Sequence, residues 1–438
     1  MKLRDLAMAS RTACLLAATL ATALSSTSAS AQLSKVMLLG ESAPNGGTFS
    51  YPGSAFASYS GHVLFRASTS TGGCIFRFDR GGGGGTPLFC EGGVAPLPDA
   101  ETWASAPTYF AASRSGDLVF KGSYLDTSQV LQHRILYRAR TGLLSEVEAI
   151  SSTGSLYATL NDSGQLLFRR GGSLVLIETP PAGPGTTIVT TSDPLPDEPG
   201  RYFQSFAGPA ALGPEGEVAF GVWTWIPPDW DDVTFALYWV EDGTLTRIAT
   251  GGSALPGGAV AGTLTWMEFL AFDGVGNLFG RAGLSGGTHS GEIVGWTGSA
   301  WESAAALAVG EDATSLLGAA ADGDLLYQTT TGPSLLSLYA KRAGVASLVA
   351  STGQSAPGAD GATFFGFPMG IASPPGGMVD DGFAVTAALS SNGRGIYSSG
   401  RPPPKSTPAL SPPAAAALAL TIGVVACRRL RGSRRRPL

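Results

Sequence analysis

The sequence predicts an all-β fold, a seven-bladed β-propeller, on three observations. A glycine-led strand signature recurs seven times, turn residues are abundant, and the two ends of the repeat region complement each other. Of 438 residues, 61 are Gly and 29 are Pro, which is typical of short strands joined by many turns. Apolar residues still make up 44% of the chain, enough for a packed core.

The signature is a glycine followed by an alternating apolar run that usually ends in an aromatic residue. Its copies begin at Gly61, Gly116, Gly164, Gly216, Gly276, Gly323 and, in degenerate form, Gly382. Successive glycines are 55, 48, 52, 60, 47 and 59 residues apart, a period typical of propellers and solenoids. In the first copy, the alternation places Val63 and Phe65 on the same face of a strand.

A second apolar run follows each signature, and in several copies a third run follows that. In the first repeat these are Cys74-Ile75-Phe76-Arg77-Phe78 and Thr86-Pro87-Leu88-Phe89-Cys90. A loop such as Gly40-Glu41-Ser42-Ala43-Pro44 then leads through a short stretch such as Thr48-Phe49 into the next signature. Each repeat therefore predicts about four strands, the content of one propeller blade.

The ends of the repeat region predict a closed ring. The region begins with an unpaired third run at 35–39, and the last repeat stops after 395–399 without a third run of its own. We expect residues near 34–40 to pair with residues near 395–399, which would leave no free strand edge at the seam. The alternative is a pair of smaller β-sheet domains.

The N-terminus has the pattern of a secretory signal peptide at residues 1–31. Lys2, Arg4 and Arg11 precede and flank a short apolar stretch, and Ala29-Ser30-Ala31 is a small-residue cleavage site. We expect cleavage between Ala31 and Gln32, which leaves the propeller at 32–400, a Pro-rich linker at 401–412 and a short transmembrane helix with an Arg-rich tail at 413–438.

The C-terminal tail resembles bacterial sorting signals of the PEP-CTERM-like class, most nearly the IPTL-CTERM type. Pro408, Ala409, Leu410 and Ser411 stand where that motif sits, with Thr407 at its first position, and an apolar run and six arginines follow. The resemblance implies an exosortase-like sorting enzyme as a partner and transient contact with the inner membrane. It places the protein in the cell envelope or on the outer surface of a Gram-negative bacterium.

The apolar run itself predicts a marginal membrane span. Residues 414–427 would form a helix of about 21 Å, shorter than a hydrocarbon core of about 30 Å. The arginines would remain cytoplasmic. The alternative to a cleaved sorting signal is a permanent single-span anchor, and both place the propeller outside the cytoplasm.

Only two cysteines, Cys74 and Cys90, lie in the repeat region. They occupy consecutive strands at matched distances from the turn at 81–85, so they can face each other across a hairpin. In an oxidising compartment this predicts a disulfide. The alternative is two reduced, buried thiols.

Charge is distributed unevenly along the chain. Residues 1–31 and 401–438 hold eleven of the 28 Lys and Arg but one of the 33 Asp and Glu, which leaves the region between them with a net charge of −15. An acidic body argues against nucleic acid as a partner, because that binding depends on neutralising phosphates. It is compatible with cation binding or simply with solubility.

The sequence offers no catalytic constellation. The three histidines, His62, His133 and His289, have no spacing that suggests a Ser/His/Asp arrangement, and no nucleophile elbow or phosphate-binding loop is present. We therefore expect no catalytic residues and no bound cofactor, apart from a candidate calcium site.

That candidate is the acidic cluster Asp229, Asp231 and Asp232, which follows two prolines. The pairs Asp322-Gly323-Asp324 and Asp380-Asp381-Gly382 are weaker candidates, because Asp-Gly is also an ordinary hairpin turn. Trp223, Trp225 and Trp230 lie beside the first cluster, either as exposed platforms for a sugar or as buried strand aromatics.

The repeat as a whole resembles the bacterial choice-of-anchor tandem repeat proteins with an NxxGxxAF motif, over most of 36–399. Asn161, Gly164 and Phe168 match the motif, while Ser58, Ser113 and Gly213 stand at the Asn position of other copies. The resemblance implies an exported repeat protein without established chemistry.

From these features we expect a non-catalytic binding or surface-structural module. One alternative is a polysaccharide hydrolase or lyase with carboxylates at the propeller channel. Another is a scaffold that binds a polysaccharide or protein partner through loops on one face, which predicts a large exposed apolar patch.

Overall fold

The seven repeats form the seven antiparallel sheets of a β-propeller. A computed structural model describes residues 33–400, with gaps at 59, 81, 83, 150–156, 181–184, 333–334, 368–377, 380–381 and 392. Every regular element in these residues is a strand. No helix in the described ranges is long and apolar enough to cross a membrane. The predicted seven-bladed, all-β architecture is confirmed.

The strands follow the repeats in order. The chain begins with β1 (Ser34–Leu38), and blade 1 contains β2 (Phe49–Ala57), β3 (His62–Thr69), β4 (Gly72–Asp79) and β5 (Gly85–Cys90). Blade 2 contains β6 (Ala100–Ala112), β7 (Leu118–Asp126), β8 (Leu131–Arg138) and β9 (Leu144–Ala149). Blade 3 contains β10 (Ala158–Leu160), β11 (Leu166–Arg170), β12 (Ser173–Ile177) and β13 (Thr186–Thr190).

The remaining blades continue in the same way. Blade 4 contains β14 (Tyr202–Phe206), β15 (Ala211–Leu212), β16 (Val218–Ile226), β17 (Asp229–Glu241) and β18 (Thr244–Thr250). Blade 5 contains β19 (Thr263–Phe272), β20 (Leu278–Ser285), β21 (Gly291–Trp296) and β22 (Trp301–Ser303). Blade 6 contains β23 (Glu311–Ala319), β24 (Leu325–Thr331), β25 (Leu335–Arg342) and β26 (Val345–Ser351). Blade 7 contains β27 (Phe364–Gly366), β28 (Met378–Val379), β29 (Gly382–Leu389) and β30 (Arg394–Gly400).

From blade 2 through blade 7 to blade 1, the first strands of neighbouring blades contact one another, so they form the inner edge of the ring. Successive hairpins place turns alternately at two faces. The lower face carries the turns between first and second strands and between third and fourth strands. The upper face carries the turns between second and third strands and the loops that join blades.

Two blades depart from the predicted count of four strands, because their inner strand is interrupted. In blade 4, β14 and β15 both pair with β16, and in blade 7, β27 and β28 both pair with β29. The interruption in blade 4 contains Gly208 and Pro209. Proline has no N–H to donate to the ladder, so the strand breaks there and resumes at Ala211.

The ring closes as the ends of the repeat region predict. β1 pairs antiparallel with β30 as the outer strand of blade 7, with Lys35 opposite Tyr397 and Met37 opposite Ile396. One ring of seven blades therefore forms, rather than two smaller domains.

The core lies between the blades. Along the second strand of each blade, successive side chains point alternately to the two neighbouring blades. Val63 and Phe65 are fully buried against blade 7, in a cluster that includes Ile396. Leu64, between them, faces blade 2 and packs in a cluster with Trp103 and Phe120. Burying one such side chain stabilises the fold by roughly 1.5–3 kcal/mol, so each signature joins its blade to both neighbours.

The predicted disulfide between Cys74 and Cys90 is confirmed. The two residues are directly opposite in the register of β4 and β5, with their Cα atoms 4.1 Å apart. The bond closes the outer hairpin of blade 1.

Candidate functional site

The glycine of the signature forms the inner turn of its blade, at the lower face. Gly116 has a φ of 94°, its N–H donates to the Ser113 carbonyl at 3.1 Å, and the N–H of Ser113 donates to the Asp117 carbonyl at 3.0 Å. This is a three-residue hairpin turn whose last residue needs the left-handed region that glycine reaches without strain. Positive φ angles recur at Gly61, Gly164, Gly216, Gly276 and Gly323.

In the degenerate seventh copy, the glycine lies in a strand. Val379 pairs with Gly382 in the ladder of β28 and β29, so Gly382 is already a strand residue. A Cβ atom at this position would lie 2.3 Å from the Ser399 carbonyl oxygen. Glycine is needed here for close backbone approach rather than for a turn conformation.

In blades 3 and 5, the residue three positions before the turn glycine fixes the turn with its side chain. Asn161 Oδ1 accepts from the N–H of Gln165 at 2.9 Å, and its Nδ2 donates to the Gly213 carbonyl of blade 4 at 2.8 Å. Asp273 holds the same position in blade 5, where Oδ1 accepts from the N–H groups of Val275 and Asn277. The asparagine of the repeat motif therefore closes its own turn and fastens it to the next blade.

Between these turns lies a cavity of about 60 Å³. Its lining comes from blades 2, 3, 4 and 5 and includes Ser113, Arg114, Asn161, Asp162, Pro214 and Asp273. A water molecule needs about 10–15 Å³ of such space, so the cavity has room for about four to six waters.

Arg114 crosses this region of the ring. Its Nη2 donates to the carbonyl oxygen of Phe272 at 2.6 Å, which joins blade 2 to blade 5, and its Nη1 lies 3.6 Å from Asp162 Oδ2. The N–H of Ser115 also donates to Asp162, at 3.1 Å. The carboxylates of Asp162 and Asp273 are therefore both bound by donors of the protein itself.

A second charged cluster lies between blades 5 and 6. Glu268 Oε1 is 3.5 Å from Arg281 Nη1, the Arg281 guanidinium lies 4.1 Å from the centre of the Trp266 ring, and its Nε donates to the Ala313 carbonyl. Burial raises the pKa of Glu268, although the charge of Arg281 opposes the rise. A carboxyl that holds its proton more tightly than usual, beside an arginine, can serve as a proton donor.

The acidic residues proposed for calcium have other partners. Both carboxylate oxygens of Asp232 accept from Nη2 of Arg201, at 2.9 and 3.0 Å, and Asp229 Oδ1 accepts from the N–H of Asp231. Asp229 begins a strand, rather than lying in a loop as the prolines before it suggested. Among the residues that the structure describes, no group of three or more His, Cys, Asp or Glu side chains is arranged to hold a metal ion.

Arg201 belongs to an ion-pair network in blade 4. It also contacts Glu198, whose other oxygen accepts from Arg247, and Arg247 Nε lies 2.8 Å from Asp197. The hydrogen bond from Arg247 and that from Arg201 lower the pKa of Glu198. This network neutralises its arginines and ties the loop before β14 to the outer strands of its blade.

The three histidines and Asp324 have structural partners. Nδ1 of His62 is 3.1 Å from Asp79, Nδ1 of His133 is 2.8 Å from the Ser123 hydroxyl, and Nδ1 of His289 is 2.7 Å from the Glu311 carbonyl. Burial, with the charge of Arg77, lowers the pKa of His62. Asp324 accepts from the N–H of Ala343, which fixes a turn of blade 6.

The three tryptophans near the first acidic cluster, Trp223, Trp225 and Trp230, are strand residues. Trp223 is partly buried and packs edge-on against Phe235 at 5.7 Å, and Trp225 lies opposite Val233 in the ladder of β16 and β17. This fits the interpretation as strand aromatics better than that of an exposed sugar platform.

The upper face carries several of the most exposed apolar side chains, dispersed over different blades. They are Val94, Val130, Val309, Leu335 and Phe365, with exposed fractions from 52% to 94%.

Several predicted features lie outside the described residues. These are the signal peptide and its cleavage site at Ala31 and Gln32, the pair Asp380-Asp381, and the tail with Pro408, Ala409, Leu410 and Ser411.

Comparison with models of known protein families finds no match, and no curated protein matches the sequence. Solved structures do match. The β-propeller domain of the Trilobed protease from Pyrococcus furiosus, described as having an open velcro topology, is 10% identical over 82% of this chain and 99% of that chain, with a TM-score of 0.50. Here β1 closes the ring instead.

Two enzymes match less well. Oligogalacturonate lyase from Vibrio parahaemolyticus is 11% identical over 81% of this chain and 98% of its own, with a TM-score of 0.41. Dipeptidyl peptidase 4 from Porphyromonas gingivalis is 10% identical over 78% of this chain and 58% of its own, also with a TM-score of 0.41. At these identities the likeness shows the fold alone.

Proposed function

We propose that this protein is an exported β-propeller that serves as a non-catalytic binding or surface-structural module of the bacterial cell envelope. The observation that carries the proposal is that Asp162 and Asp273, at the inner turns of the ring, already have donors within the protein. Asp162 is held by Arg114 and a backbone N–H, and Asp273 is held by its own turn. Glycoside hydrolysis needs two available carboxyl groups about 5–9.5 Å apart, and these two acids serve the fold instead.

One observation favours the second candidate, a polysaccharide hydrolase or lyase. Glu268 is partly exposed, its pKa is raised by burial, and Arg281 stands beside it. A lone proton donor with a neighbouring cation is half of what such chemistry requires.

A cleavage assay separates the two candidates. We expect the full-length chain to release no new reducing ends or unsaturated products from polygalacturonate or from dextran. The matched variant Glu268→Gln should behave identically. Product release by the native chain that is lost in Glu268→Gln would replace the proposal with the enzyme.

Export and sorting rest on the two ends of the sequence. The basic start, apolar stretch and small-residue site at 1–31 support export, and the tail with Pro408, Ala409, Leu410 and Ser411 supports handling by an exosortase-like enzyme at the inner membrane.

The intact mass of the protein from its native envelope tests this processing. We expect a chain that begins at Gln32 and ends near 407–412. A mass that corresponds to residues 32–438 would instead make the protein a permanently anchored one.

A further inference from the structure

Two arginines point into the boundary between blades 1 and 2 near the lower face. Arg77 follows Ile75 by two positions in β4, and Arg138 follows Leu136 by two positions in β8. Ile75 and Leu136 are both buried in the cluster that joins these blades. The ladders of β4 with β3 and of β8 with β7 run through these residues without a bulge. Since side chains alternate along a regular strand, both arginines face the same boundary at the same end.

The Arg138 side chain reaches across that boundary. Its guanidinium carbon lies 5.9 Å from the centre of the Phe89 ring, which belongs to β5 of blade 1. Both arginines are partly buried. Within the described part of the chain, neither side chain donates a hydrogen bond or pairs with a carboxylate at ion-pair distance.

Several partly buried arginines elsewhere in the ring pair with carboxylates. Arg201 and Arg247 share three carboxylates in blade 4, and Arg134 lies 2.7 Å from Glu146. Arg77 and Arg138 are half-buried guanidinium groups without such partners, in a body whose net charge is −15.

The electrostatics of the boundary agree with an unneutralised pair. Burial and then the charge of Arg77 lower the pKa of Arg138, and Asp117 offsets this in part. The positive charge at this place is thus only partly compensated by the protein itself, and an added anion would be attracted to it.

We propose that Arg77 and Arg138 form a binding site for one oxyanion group, a carboxylate, sulfate or phosphate, of the ligand that this propeller takes. Guanidinium groups are planar forks that match the oxygens of such anions. This proposal adds a ligand chemistry to the proposed binding function. It rests on that function for the larger molecule that carries the anion, whereas binding of a small oxyanion can be measured without it.

Calorimetric titration of the full-length chain in mild detergent, at constant ionic strength, measures the binding. The probes are sodium sulfate, sodium phosphate and sodium glucuronate. We expect at least one to bind and Arg77→Met or Arg138→Met to weaken it at least about tenfold, since Met keeps the apolar stem and removes the charge. Arg170→Met is the matched control, because Arg170 pairs with Glu148 across the boundary between blades 2 and 3. Similar binding of all three probes indicates a general oxyanion site, whereas binding of glucuronate alone indicates an acidic sugar.

Thermal unfolding with and without 10 mM of the bound anion distinguishes a ligand site from a structural role. We expect the anion to raise the Tm of the native chain and to leave that of Arg138→Met unchanged. Without anion, Arg138→Met should be no less stable than the native chain, because a repulsive charge is removed. A structural arginine would instead give a variant that is less stable in both conditions. Binding of no probe by the native chain, or equal binding by the Arg77→Met and Arg138→Met variants, would overturn the proposal.

Discussion

Replacement of Met37 with aspartate is expected to cost the propeller at least about 3 kcal/mol of unfolding free energy. Met37 lies opposite Ile396 where the first strand closes the ring, and it is 1% exposed. Its side chain packs in the cluster that joins blades 1 and 7, so a carboxylate there would lose its water without gaining a donor. Urea unfolding followed by tryptophan fluorescence measures the loss.

The conservative variant Met37→Leu keeps the volume and should cost less than about 1.5 kcal/mol. Hydrogen exchange locates the effect, because an opened seam should lose protection first at 34–38 and 394–400. A loss below 1 kcal/mol for Met37→Asp with unchanged exchange would show that the closure contributes little to stability.

The closure could be predicted because both partners are visible in the sequence as incomplete repeats. Its fine structure could not. A Cβ at Gly395 would lie 2.6 Å from a methyl of Leu38 and 3.1 Å from the Met37 carbonyl oxygen. That glycine is required by the strand that arrives from the other end of the chain, and local sequence cannot show this.

The inner turns of the blades could be predicted from local sequence. Glycine after a polar residue marks a three-residue hairpin, and period-two alternation marks the strands on either side. The role of Asp273 was missed, although it stands three residues before Gly276 and the repeat spacing pointed to it. Its carboxylate replaces the motif asparagine because either side chain can accept the N–H groups of the turn.

The charged clusters were not predictable, because they join residues that only the ring brings together. Arg114 and Phe272 are 158 positions apart, and their contact depends on the placement of blades 2 and 5. Burial raises the pKa of Glu268, which local sequence does not show, although its partner Arg281 lies directly opposite it in the ladder of β19 and β20. Asp232 was considered as a calcium ligand, yet Nη2 of Arg201, 31 positions earlier, donates to both of its carboxylate oxygens.

Reduction of the disulfide between Cys74 and Cys90 is expected to lower the unfolding free energy by about 3 kcal/mol. The bond closes a loop with a sequence separation of 16, and a loop of about 15 residues is worth roughly 3 kcal/mol of denatured-state entropy. The bond lies in blade 1, whose core cluster includes Met37 of β1 and Ile396 of blade 7. Unfolding of blade 1 would therefore also expose the place where the ring closes. Urea unfolding with and without dithiothreitol measures the difference.

The double variant Cys74→Ala/Cys90→Ala separates the covalent bond from the buried sulfur atoms. Cys74 is fully buried, so the variant should lose the stabilisation of the bond and a further amount for the cavity. Dithiothreitol should then leave its unfolding curve unchanged, whereas it shifts that of the native chain. Equal unfolding curves for the native chain with and without dithiothreitol would mean that breaking the disulfide adds no conformational entropy to the denatured chain. The outer hairpin of blade 1 would then be held by packing and its ladder alone.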